Sequence, residues 1–240
     1  MLAVIGSPSF LPGLTPDAAG GAGGLAAGVA RAAAAAGAEV QLVGKVGEDP
    51  AGDAVLISLA RGGVGHLALL RDAGSATPML RPDPTEVDPG DIEPLAALAA
   101  GGDAGHGRAS ERGARAARSE AGWSPEPGLP LEPADISLGL RYLRDFRVLV
   151  AADPLDEPSA AVVADAAAFA DAALVVIARG GQATTSASAG AIVLEAPEDD
   201  PAGAFAALVG RFAASLDRGV DAAEAFRASV VEGGWERSAG

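Results

Sequence analysis

Cysteine is absent from this chain of 240 residues, so disulfides, thiolate nucleophiles and cysteine-ligated zinc are excluded. Histidine is nearly absent: His66 and His106 lie far apart without a partner at helical spacing, which argues against a histidine-built metal centre. Aromatic residues make up only 4% of a chain that is 49% hydrophobic, so its core must be assembled from Ala, Val and Leu. Basic charge is scarce as well, with 17 Lys and Arg against 32 Asp and Glu and a formal net charge of −15. Such a surface repels phosphate backbones and anionic headgroups, so neither a nucleic acid nor a membrane is expected as partner. No apolar run nears the ~18 residues needed to cross a bilayer. MLAVIGSPSF also lacks the basic start and long apolar stretch of a signal peptide, which points to the cytoplasm.

What remains is a chain of a length suited to one α/β domain over residues 1–240. Residues 2–6, 39–44, 146–151, 173–178 and 191–195 are short apolar runs and read as strands. Helices are expected at 25–36, 50–62, 135–144, 158–171, 202–217 and 221–231, and residues 66–71 with 76–81 as a hairpin. The stretch from Ser7 to Gly23 reads as loop. Runs such as LVVI and VLVA carry no polar alternation, which predicts a mostly parallel sheet covered by helices on both faces. Residues 101–134 are polar and Gly-rich, a composition that buries little surface and predicts a mobile or disordered insertion. The arginines between Arg108 and Arg118 read as a solvated helix face.

Two glycine-bearing segments carry the chemistry. Gly21, Gly23 and Ala26 fit the G-x-G-x-x-A spacing of a dinucleotide loop, but they come long after the first strand ends. The next strand also closes on Gly44-Lys45 without an acidic residue for a ribose, so an NAD(P)-binding reading ranks low. The longer segment GGLAAGVARAAAAAGAEVQLVGKVGEDPAGDAVLISLARGGV, residues 23–64, resembles the first signature of the ribokinase family, the phosphofructokinase-B-like sugar and nucleoside kinases. In that family a Gly-Gly pair opens a helix, and here Gly23 and Gly24 match it, with Ala30, Gly37 and Gly47 at the following spacings. The resemblance gives Gly23, Gly24 and Gly28 a substrate-binding place. The family's Asn on the first helical turn is replaced by Gly28, which removes one contact to a substrate hydroxyl. Asp17 falls near the family's early substrate-binding Asp.

Near the C-terminus, Glu198-Asp199-Asp200-Pro201-Ala202-Gly203-Ala204-Phe205 resembles the family's Asp-Thr-Thr-Gly-Ala-Gly-Asp-Ala-Phe. The resemblance implies an anion hole at a helix start, with Ala202 and Gly203 facing the transferred phosphate and Gly180, in ALVVIARGGQATT, near the nucleotide. The family's catalytic Asp has no counterpart: it is either deleted between Gly203 and Ala204 or replaced by Gly203 itself. Asp200 and then Asp199 are the nearest substitute bases, although both also read as helix caps. Pro201 removes an N–H from the turn. The resemblance therefore implies a ribokinase-like three-layer α/β/α domain with a mostly parallel sheet and a lid reduced or absent, the lid segment SPSFLPGLTPDAAGGA being too short for its usual strands. Its implied function is carbohydrate kinase-like, taking magnesium-ATP and a sugar or nucleoside, with phosphoryl transfer weak or lost. The alternative is a non-catalytic nucleotide- or sugar-binding regulatory protein on the same fold. No protein-bound transition metal is implied, and a homodimer stays open.

Overall fold

The computed structural model describes residues 1–13, 20–82, 123–125, 129–143, 145–179, 190–197 and 203–233. The central sheet is built from β1 (Leu2–Ile5), β4 (Val40–Gly47), β5 (Val64–Gly65), β6 (Leu69–Asp72), β9 (Val148–Ala151), β10 (Ala173–Arg179) and β11 (Ile192–Ala196). Its order is β11-β10-β9-β1-β4-β5, with β6 continuing alongside β4, and every pair is parallel. The expected hairpin between 66–71 and 76–81 is not formed. β6 pairs in parallel with β4 because Gly44–Gly47 present an edge beyond the short β5.

Successive side chains of a strand point to opposite faces, and here both faces are dry. Leu2 and Val4 of β1, with Val148 and Val150 of β9, face the layer of α1 (Leu25–Ala35) and α5 (Ala204–Asp217). Ala3, Ile5 and Leu149 face the layer of α3 (Pro133–Arg141) and α4 (Glu157–Phe169). The scarcity of aromatics is met by close backbone approach. A Cβ on Gly210 of α5 would come within 2.6 Å of the Ala32 Cβ and 2.7 Å of the Val29 carbonyl, so α5 lies directly on α1. Phe212 is the one large aromatic fully buried among the described residues. It meets Phe226 of α6 (Ala222–Gly233) edge to face at 6.0 Å.

The stretch from Ser7 to Gly23 corrects the loop reading. β2 (Ser9–Leu11) and β3 (Gly21–Gly23) form an antiparallel pair despite the shortness of the segment. Phe10 donates its amide to the Pro78 carbonyl at 2.7 Å and bridges Met79, which ties this pair to β7 (Leu80–Pro82). β7 in turn pairs with β8 (Trp123–Pro125). A strand at β8, and the ordered Leu129–Glu132 before α3, fall inside the segment expected to be mobile; residues 101–122 and 126–128 lie outside the described residues. These two short pairs lie outside the central sheet.

Candidate functional site

Because all strands of the central sheet run the same way, they end on one edge, the place where open parallel sheets bind ligands. Five helices begin there: α2 (Pro50–Arg61) after β4, α4 after β9, α5 after β11, and α1 and α3, which carry the chain back to start β4 and β9. The first N–H groups of any helix lack intrahelical partners, so what covers them matters. Asp49 closes α2, accepting from the Gly52 amide at 2.7 Å, and Asp156 closes α4, accepting from the Ser159 amide at 2.9 Å. α1 and α5 begin instead at Gly24 and Gly203, which have no side chain to turn back on the helix. Gly24 sits at φ 85° and Gly203 at φ 63°, conformations that side-chain-bearing residues seldom adopt.

Gly24 and Gly203 are thus placed at two helix starts on the same edge. Gly23 lies in β3, paired with Ser9, and a Cβ there would strike Leu80 at 2.4 Å. Gly28 lies on the first turn of α1, its amide bonded to the Gly24 carbonyl at 2.9 Å. Asp17, Gly180, Asp199, Asp200 and Ala202 lie outside the described residues.

A carboxylate that the sequence reading passed over stands beside the start of α1. Asp153 follows the end of β9 and accepts the Ser7 amide on Oδ2 at 2.6 Å, while its Oδ1 lies 3.5 Å from Arg179 Nη2 at the end of β10. Burial pushes the Asp153 carboxyl above the ordinary range; the Ser7 amide and the Arg179 charge pull it back by less. Asp49 is the opposite case. Burial raises it, but the Thr77 hydroxyl and amide and the Gly52 amide together hold it below 3.8. Asp153 was missed because Ala152-Asp153-Pro154 reads as a turn ahead of α4. The signal that finds it is an acid two residues past the end of a strand buried on both faces. Among the described residues no group of three or more His, Asp or Glu stands together as a metal site, and no helix is long and apolar enough to cross a membrane.

Residues 14–79 match the model of the pfkB family of carbohydrate kinases, a span that includes Gly23, Gly24 and Gly28. Solved structures match over nearly the whole chain. The fold is similar to that of a PfkB protein from Polaromonas sp. JS666, with a TM-score of 0.59 at 16% identity, covering 97% of this chain and 94% of that one. It is also similar to Arabidopsis thaliana ribokinase complexed with ribose and ATP, with a TM-score of 0.59 at 13% identity, covering 97% and 90%. A Burkholderia thailandensis nucleoside kinase in complex with inosine gives a TM-score of 0.58 at 12% identity, covering 97% and 88%. None of the curated proteins matches the chain.

Proposed function

From a ribokinase-like member of the pfkB carbohydrate kinase family, matched over residues 14–79, we infer a slow ATP-dependent phosphoryl transfer to a hydroxyl of a sugar or nucleoside. The observation that carries this reading is the contrast at the sheet edge: α1 and α5 begin at the positive-φ glycines Gly24 and Gly203, while their neighbours α2 and α4 begin at carboxylates that close them. A helix whose first residue has no side chain lets an anion approach its backbone N–H groups and the positive end of its dipole. In this reading α5, with Gly203 and Ala202, receives the transferred phosphate, and Gly180 lies toward the nucleotide. Gly23, Gly24 and the turn bearing Gly28, with Asp17, hold the hydroxyl-bearing substrate. Magnesium travels with the nucleotide as counter-charge for its phosphates.

The reaction is slow because several parts are missing. Gly203 and Ala204 offer no carboxylate where the family places its base, and a positioned base contributes roughly 10²–10⁴-fold. Gly28 brings no side chain to the substrate. Asp199 and Asp200 set negative charge against the phosphates, and Pro201 supplies no N–H. A second reading, nucleotide or sugar binding without transfer, is favoured by that same missing carboxylate. Calorimetry with magnesium-ATP tests the common ground of both: binding is expected, weaker than micromolar and weakened further by Gly203→Ala. No heat at millimolar ATP, or sub-micromolar affinity indifferent to Gly203→Ala, would overturn it. Mass spectrometry of ribose and inosine incubated with the protein and magnesium-ATP separates transfer from binding alone.

A further inference from the structure

The seam where β1 meets β9 brings together three groups that are remote in sequence. Asp153 holds the Ser7 amide across 146 residues of chain at 2.6 Å. A Cβ on Gly6 would lie 2.8 Å from Asp153 Oδ2 and 2.8 Å from the Ala26 Cβ. The carboxylate therefore lies against the first turn of α1, close to its start at Gly24. On its other side stands Arg179, the last residue of β10 and the one before Gly180.

The partnering of Asp153 is poor for a structural carboxylate. Asp49 keeps one oxygen on the Gly52 amide and the Thr77 hydroxyl, at 2.7 Å each, and the other on the Thr77 amide at 2.8 Å. Asp153 has one short bond and a stretched ion pair, whose side chains remain 26% exposed for Asp153 and 45% exposed for Arg179. A largely buried carboxylate with one oxygen loosely held, and a cation free to turn away from it, suit a site that must accept a proton and an anion in the same event.

We propose, on the reading of this cleft as a phosphoryl-transfer site, that Asp153 takes the proton of the acceptor hydroxyl and that Arg179 receives the transferred phosphoryl group. The pair takes over from the carboxylate missing at Gly203 and Ala204. In the step, the acceptor oxygen forms a bond to the γ-phosphorus. The bond from that phosphorus to the bridging oxygen breaks, and its electron pair leaves on ADP. The hydroxyl proton passes to the Asp153 carboxylate. Arg179 moves from Asp153 Oδ1 to the oxygens of the phosphoryl group, which frees Oδ1 for the proton and places positive charge where negative charge builds.

Among the described residues, the groups facing Asp153 are the Ser7 amide after β1 and Arg179 at the end of β10. Burial makes the carboxylate a stronger base than one in water, and Arg179 opposes that shift. The test uses the full chain with magnesium-ATP and either ribose or inosine as acceptor. Wild-type turnover is expected, reduced roughly 10²–10⁴-fold by Asp153→Asn, with ATP affinity by calorimetry unchanged. Arg179→Ala is expected to lower kcat about tenfold with KM for ATP little changed, the loss of one charge-assisted contact made only during transfer. It also moves the acid limb of kcat/KM to higher pH, because the charge that lowered the Asp153 carboxyl is gone. That limb shift decides the matter even where Asp153→Asn fails to fold. Turnover retained in Asp153→Asn, lost instead in Asp200→Asn, or an acid limb unmoved by Arg179→Ala would overturn the assignment. Wild type that binds ATP and acceptor without turnover would overturn it too, while leaving the binding reading intact; wild type that binds neither would remove both.

Discussion

Asp49 and Asp153 stand at the same edge of the same sheet, and their surroundings differ in kind. Asp49 is saturated: it closes α2 and fixes the Thr77 amide and hydroxyl, so one side chain joins a helix start to the chain ahead of β7. Asp153 is half-buried beside Ala26 and Ser7, holds a loose ion pair with Arg179 and closes no helix. One carboxylate is held below its ordinary range by its donors and the other pushed above it by its burial. The difference teaches how to sort acids at a sheet edge. A carboxylate whose hydrogen bonds are all met within the fold stabilises it, and one left short of partners is held there by the fold at some expense of stability.

The largest break in this comparison is Asp49→Ala. Loss of a cap costs about 1 kcal/mol, and the stranded Thr77 amide and hydroxyl add about 1–3 kcal/mol. Urea unfolding is expected to show a lower midpoint with an unchanged slope, and a loss below about 0.5 kcal/mol would show that water replaces Asp49 freely. Next in size is Gly24→Ala. The nearest atom to a Cβ there is Ser9 Oγ at 3.6 Å, so space is available and the penalty comes from the backbone at φ 85° alone. About 1–3 kcal/mol is expected for such a conformation, and a neutral result would mean that the start of α1 relaxes.

Acid titration sharpens the contrast further. The lowered Asp49 contributes stability that is complete above 3.8 and is lost as pH falls through its folded value. The raised Asp153 works the other way: between 3.8 and its folded value the native state binds more protons, so its contribution grows as pH falls. Melting temperatures of wild type and Asp153→Asn, followed down from neutrality, are expected to converge as the acid stabilises wild type alone. Curves that run parallel across that range would show Asp153 to be unstrained. The smallest effect is Asp153→Asn at neutral pH, where the melting temperature is expected to stay level or rise, since the amide keeps an acceptor for Ser7 without the buried charge. A clear drop would place Asp153 with Asp49 among the structural acids.

Strands buried on both faces were legible in the sequence because VLVA and LVVI have no other reason to be continuously apolar, and their bounds fall close to those observed. Two helix starts were legible too, at Gly24 and close to Gly203, because a glycine ahead of an Ala-rich helix leaves a signal in one place. The short strands β2 and β3 were not. Ser9–Leu11 and Gly21–Gly23 are three residues each, with Phe10 alone favouring a strand, and are held by the Phe10 amide reaching Pro78, a contact that no local pattern reports. Asp153 was hidden for the same reason. Its meaning depends on β9 lying between β1 and β10, and strand order is not written in any window of residues.

Strand order also sets a timetable. β1, β4, β5 and β6 come from residues 2–72, and β9, β10 and β11 from residues 148–196, so the sheet is two sequence-contiguous halves joined only where β1 meets β9. On a ribosome adding roughly 5–20 residues each second, β1 waits many seconds with a bare apolar edge before its second neighbour exists. During that interval the nascent chain is open to wrong strand pairing. The Ser7–Asp153 bond spans the join, so this edge of the sheet is incomplete in every shorter nascent chain and arrives with the closing of the sheet.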